Sequence, residues 1–181
     1  MAFEYLKSMS GGLDKNAVLS DIMLTYGEDV WNYAFFLSKN RTLADDVTQD
    51  VFVRVYERLY TFRGEASIKT WLLAITRNLV RDHWRSAWIR RVIPFGILRQ
   101  EGQEPSAESQ VIGLLAEEEV WNTVLGLPHK LREVLLLHAH HQLSYAEIAK
   151  LLNVSEGTVK SRLSRARAKV SQQLGEEGRK A

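Results

Sequence analysis

Residues 143–170 read LSYAEIAKLLNVSEGTVKSRLSRARAKV. Ser144 is a good helix N-cap, and Glu147 three residues later closes a capping box. Leu143 before the cap and Ile148 beyond it form a hydrophobic staple, and Ala146, Ile148, Ala149, Leu151 and Leu152 supply an apolar stripe. Asn153 and Val154 make the turn. Ser155 caps a second helix, with Val154 and Val159 repeating the staple. At about 100° per residue, Val159, Leu163, Ala166 and Val170 share one narrow face. Lys160, Ser161, Ser164 and Arg165 fall opposite, with Arg162, Arg167 and Lys169 on the flanks. Five cations against Glu156 leave residues 155–170 at +4. Two short helices with a tight turn, the second one basic, predict a helix-turn-helix that offers its polar face to the major groove of duplex DNA.

Outward from that stretch, the chain has 181 residues, room for one domain or two small ones, and at 45 % hydrophobic it supports a core. It has no cysteine, which rules out disulfides and thiolate metal sites. No run of about 18 apolar residues suits a membrane span, and MAFEYLKSMSGG at the N-terminus lacks an apolar signal core. A cytoplasmic protein is expected. The net charge of +2 hides an uneven distribution. Lys69, Arg77, Arg81, Arg85, Arg90 and Arg91 against Asp82 give residues 69–91 a charge of +5. Residues 100–119 hold six glutamates and no cation. Two basic patches around an acidic strip suit a polyanion touched at two places.

Helical periods dominate and strand signals are weak, so the fold class is all-α, two small helical domains joined by a linker. Helices are expected near residues 16–26, 28–39, 43–60 and 68–85, then 116–125 and 128–138, before the helix-turn-helix. Pro94 and Pro105, with Gly96, Gly102, Ser106 and Ser109, mark a linker near residues 93–110. Pro128 suits a helix start, where its missing N–H costs nothing.

The third helix is two-faced. Leu43, Val47, Val51, Val55 and Leu59, joined by Ala44 and Phe52, form a buried face. Asp46, Gln49, Asp50 and Val53 lie on the other side at i, i+3, i+4 and i+7, with Asp45 beside them. This is either a solvated acidic face or a docking surface for a basic partner. Near the helix start, Asp45 and Asp46 are expected to gain from the macrodipole. From Tyr60 to Trp88, aromatics and cations interleave: Phe62, Arg63, Lys69, Trp71, Arg77, Arg81, His83, Trp84 and Arg85 among them. Stacking rings plus backbone-following cations are what single-stranded nucleic acid requires. A loop such as Phe62-Arg63-Gly64-Glu65 suits an extruded base, and Asn78 suits a base edge. For Trp71, among Ile68, Leu72 and Ile75, the pattern favours a core position.

Both halves resemble one family, the bacterial RNA polymerase sigma factors of the extracytoplasmic-function class. The resemblance is carried by ADDVTQDVFVRVYERLYTFRGEASIKTWLLAITRNLVRDHWR, residues 44–85, and LPHKLREVLLLHAHHQLSYAEIAKLLNVSEGTVKSRLSRARAKV, residues 127–170. It implies region 2 over residues 15–90, a linker over 91–113 and region 4 over 114–175. Asp45, Asp46, Gln49, Asp50 and Val53 are then expected to dock on the clamp helices of polymerase. Phe62, Arg63, Gly64, Ser67, Lys69, Arg77, Asn78 and Arg81 are expected to hold the melted minus-ten strand. Lys160, Ser161, Arg162, Ser164, Arg165 and Arg167 are expected on the minus-thirty-five duplex, and the helix from Pro128 at the polymerase flap. The implied protein is a promoter-recognition subunit with no chemistry of its own, no cofactor and no metal. Its implied partners are core polymerase, promoter DNA and an anti-sigma factor, often membrane-bound in this class. His138, His140 and His141 depart from the family's usual aromatic or acidic residues and read as surface histidines rather than metal ligands.

Two other readings fit parts of the chain. A stand-alone repressor or activator accounts for residues 127–170 but leaves the acidic helix and aromatic loop idle. A metal nuclease built on Asp45, Asp46, Asp50 and His83 is disfavoured, because Asp45 and Asp50 diverge by roughly 140° around their helix.

Overall fold

The computed structural model describes residues 14–59, 62, 64, 66–92 and 115–177, and every regular element among them is an α-helix. Contacts divide the chain into two units, Met1–Trp84 and Arg85–Ala181.

In the first unit, α1 (Lys15–Ser38) and α2 (Arg41–Arg58) form an antiparallel pair. The sequence pattern predicts two helices, near residues 16–26 and 28–39, where α1 is one. Gly27, near the middle, costs about 1 kcal/mol of helix propensity relative to alanine. The apolar stripe runs straight through it, however: Val18 and Ile22 before it, then Val30, Tyr33, Ala34 and Leu37 after it, are all buried. That continuous burial outweighs the glycine. Asp14 caps α1 by accepting from the Asn16 N–H at 2.9 Å. Lys39 ends it in the left-handed region at φ 56°, donating its N–H to Phe35 O at 2.7 Å. Asn40 then caps α2, its Oδ1 accepting from the Leu43 N–H at 2.9 Å. Starting at Arg41, α2 leaves Asp45 and Asp46 past its first turn. The expected macrodipole gain fades there, since it falls off within that turn. Of the predicted buried face, Ala44, Val47, Val51, Phe52, Val55 and Leu59 are buried, while Leu43, in the first turn, is half-buried.

Helix α3 (Ile68–Val92) runs seven residues past the expected end near Arg85. Nothing between residues 86 and 92 breaks a helix, and the first obstacle is Pro94, which disfavours helical backbone in the residue before it. The proposed linker therefore loses Arg91 and Val92 to α3, and its residues 93–113 lie outside the described residues, as do the side chains of the acidic strip through Glu119.

The second unit contains α4 (Leu115–Gly126), α5 (His129–Ala139), α6 (Tyr145–Leu152) and α7 (Glu156–Glu177). Pro128 starts α5, its carbonyl accepting from the Leu131 and Arg132 N–H groups. Arg132 is buried and donates from Nη1 to Leu125 O at 2.8 Å, satisfying a carbonyl that the end of α4 leaves open. Burial pushes this guanidinium below its ordinary pKa, while Glu133 works the other way. The histidine run is not superficial. His141 is only 2 % exposed, and His138 and His140 are half-buried. His138 Nδ1–H donates to Leu143 O at 3.1 Å, and its ring lies 5.0 Å from that of Tyr145. His140 meets Trp121 edge-on at 5.8 Å. These imidazoles pack the corner between α5 and α6, where the backbone turns through Gln142 at φ 59°.

The capping box of α6 forms as read. Ser144 Oγ accepts from the Glu147 N–H at 3.3 Å, and Glu147 Oε2 accepts from the Ser144 N–H at 2.9 Å. Replacing Ser144 by alanine removes the Oγ cap and its own bond to Glu147 Oε2 at 2.7 Å but keeps the backbone N–H that Glu147 accepts from, with an expected loss of about 1 kcal/mol. Urea unfolding of the full chain checks this. An unchanged midpoint refutes the cap's contribution.

Candidate nucleic-acid interface

Asn153 turns the chain between α6 and α7 in the left-handed region, at φ 55° and ψ 55°. Such backbone is tolerated by asparagine far better than by most side chains. Ser155 Oγ accepts from the Thr158 N–H at 3.1 Å and opens α7. Val159, Leu163 and Ala166 are buried against the rest of the unit, together with Ile148, Ala149 and Leu152 of α6. Ala146, expected in the α6 stripe, is exposed instead. One narrow seam therefore anchors α7, and the remaining surface faces outward. Lys160, Ser161, Ser164, Arg165 and Arg167 are exposed, and Arg162 is half-buried. Ser161 Oγ donates back to Thr158 O at 3.0 Å, which leaves its oxygen lone pairs outward. Lys160 Nζ sits 5.8 Å from the Tyr145 ring centroid, a loose cation–π contact.

In the first unit the acidic ridge stands out from α2. Asp45, Asp46, Gln49, Asp50 and Val53 are all exposed, and Val53, an aliphatic side chain, is 57 % exposed. Beside the ridge, α1 and α2 enclose an apolar groove of about 740 Å³ walled by Met23 and Trp31 on one side and Phe52, Val53 and Tyr56 on the other. Trp31 Nε1–H also donates to Asp45 Oδ1 of α2 at 2.6 Å.

The expected strand-binding residues do not all come together. Around α3, Trp71, Ala74, Arg77, Asn78 and Arg81 occupy an arc of roughly 120°. Within it Asn78 and Arg81 are exposed, and Trp71, Ala74 and Arg77 half-buried. Phe62 packs on Trp71 with ring centroids 5.1 Å apart, tilted by 49°. Trp71 therefore belongs to the outward arc and not to the core, contrary to the sequence pattern. Its position one heptad before Asn78 is the sequence signal for that placement. Lys69 falls outside this arc and pairs with Asp29 Oδ2 of α1 at 3.0 Å. Ser67 serves as the cap of α3, its Oγ accepting from the Thr70 N–H at 3.0 Å. Gly64 adopts φ 69°, a conformation that glycine takes without strain. Arg63 lies outside the described residues.

An outward-facing basic helix, an acidic ridge and an aromatic, cationic arc on one chain suit a promoter-recognition subunit. Two family models match it, described as Sigma-70 region 2 over residues 22–90 and Sigma-70, region 4 over residues 117–170. The ECF RNA polymerase sigma factor SigW of Bacillus subtilis is 30 % identical over 164 residues, covering 86 % of this chain and 88 % of SigW. A probable RNA polymerase sigma factor, RfaY of Xanthomonas campestris, is 32 % identical over 145 residues, 78 % of this chain but 36 % of RfaY. Among solved structures, CnrH in complex with the cytosolic domain of CnrY superposes with a TM-score of 0.66 at 26 % identity, covering 97 % of this chain and 98 % of CnrH. The chain belongs to the extracytoplasmic-function class of sigma-70 RNA polymerase sigma factors. Its function is to direct polymerase to promoters, and the stand-alone regulator finds no support. No helix among the described residues is long and apolar enough to cross a membrane.

Proposed function

We propose a division of labour between the two units. The α2 ridge of Asp45, Asp46, Gln49, Asp50 and Val53 docks on the clamp helices of core polymerase. The α3 arc, with the loop from Phe62 to Ser67, holds unpaired minus-ten bases: Phe62 and Trp71 offer ring faces, Asn78 a hydrogen-bonding edge, Arg77 and Arg81 positive charge. Lys69 supports that surface through α1 and not by touching the strand. On α7, Lys160, Ser161, Ser164 and Arg165 read base edges of the minus-thirty-five duplex, and Arg162 and Arg167 neutralise phosphates. Trapping unstacked bases offsets a melting cost of a few kcal/mol, so opening proceeds without ATP and the subunit performs no chemistry. It works in the cytoplasm, with the helix from Pro128 at the polymerase flap. Its regulator is an anti-sigma factor, membrane-bound as is common in the class. The hold of a cytosolic domain on CnrH supports that partner.

What carries this reading is the single buried seam of α7, which leaves every cation from Lys160 to Lys169 at least partly outward. In vitro transcription on a genomic library with core polymerase, followed by start-site mapping, tests it. The expected result is initiation at sites sharing two spaced elements, and no initiation anywhere defeats the proposal. Arg167→Ala is expected to weaken duplex binding on all sequences and to reduce the salt slope by about 0.9, the share of one phosphate contact. A base-specific loss with an unchanged slope reassigns Arg167 to readout.

A further inference from the structure

The acidic ridge is more firmly set on its outer edge than an array of surface carboxylates requires. Asp45 is exposed, yet the Trp31 indole of the neighbouring helix donates to its Oδ1 at 2.6 Å. The indole is itself held. It stacks on Phe35, centroids 5.4 Å apart and planes 7° from parallel. The Arg41 guanidinium lies over its ring at 5.9 Å. A surface carboxylate ordinarily samples several rotamers, and fixing it on binding costs free energy. Here the rotamer is chosen beforehand by an N–H whose own direction is locked by stacking.

We infer that Trp31 is a positioning residue for polymerase docking: its Nε1–H pre-sets the Asp45 carboxylate, so that the ridge meets its basic partner with that rotamer already selected. This rests on the reading of the ridge as the docking surface. Trp31 need not touch the polymerase for the effect, and its role lies in the hydrogen bond rather than in bulk. Trp31→Phe keeps a ring to stack on Phe35 and removes the donor together with the second ring of the indole.

The test is a double-mutant cycle on the full chain, with dissociation constants for core polymerase measured for wild type, Trp31→Phe, Asp45→Ala and the double variant. Trp31→Phe is expected to weaken binding about fivefold, the scale of one ordinary net hydrogen bond. In the Asp45→Ala background it is expected to cost nothing further, a non-additivity that a merely structural tryptophan does not produce. Asp45→Glu gives a second measurement if Trp31→Phe folds poorly. It keeps the charge but carries the carboxylate one methylene past the fixed N–H, and a similar weakening is expected. Equal losses from Trp31→Phe in both backgrounds, or wild-type affinity for either Trp31→Phe or Asp45→Glu, overturns the inference. If Asp45→Ala alone binds core as wild type does, the docking role of Asp45 falls too. If it weakens binding and Trp31→Phe does not, only the positioning role is lost.

Discussion

Asp46→Arg combined with Asp50→Arg is expected to abolish retention of core polymerase while leaving the helical circular dichroism and the melting profile essentially unchanged. Both carboxylates are exposed and lie one turn apart on the outward side of α2. Neither takes part in the cap, which Asn40 supplies, and neither belongs to the buried row from Ala44 to Val55. Exposed substitutions away from such features usually shift stability by about 0.5 kcal/mol or less, and here a mild like-charge repulsion within the helix is exchanged for another. At an interface the arithmetic differs. Two reversals turn attraction into like-charge opposition costing several kcal/mol, and each ~1.4 kcal/mol is a factor of ten, so the loss exceeds roughly a hundredfold. Pull-down of core polymerase by the double variant at wild-type level removes the ridge from the docking surface.

Arg165→Ala is the second large effect. Arg165 is exposed on the side of α7 away from Val159, Leu163 and Ala166, so its truncation leaves the seam and the fold alone. A bidentate arginine–guanine pair contributes about 1–3 kcal/mol of discrimination, which predicts a loss of roughly tenfold to a hundredfold on promoters with the matching base and little on others. Runoff transcription on templates varied at single upstream positions measures it. Unchanged promoter selectivity strikes Arg165 from the reading face.

The parts of this molecule legible from its residues were those whose causes are local. Ser144, Glu147, Asn153 and Ser155 specify caps and a turn within a few residues of themselves, and the helix-turn-helix formed as read. The buried row of α2 was equally plain, because one period of four decides it. What went astray depended on the rest of the fold. Gly27 looked like a break because propensity is local, whereas the stripe that overrides it is buried by tertiary packing. His141 looked superficial because a polar run gives no sign of the corner that encloses it. Trp71 looked like core because its sequence neighbours are core, although its place on the wheel aligns it with Asn78. The Trp31–Asp45 hydrogen bond spans 14 residues between two helices, and no spacing rule announces such a pair.

The ion pair between Lys69 and Asp29 changes how genetics on this protein should be interpreted. An alanine scan of its basic side chains will register position 69 as a hit, and the natural conclusion will be a lost grip on the template. The same substitution also removes an ion pair between the first and third helices, a second source for the defect. A melting curve of the position-69 variant separates the two sources, since only a loosened joint lowers the midpoint.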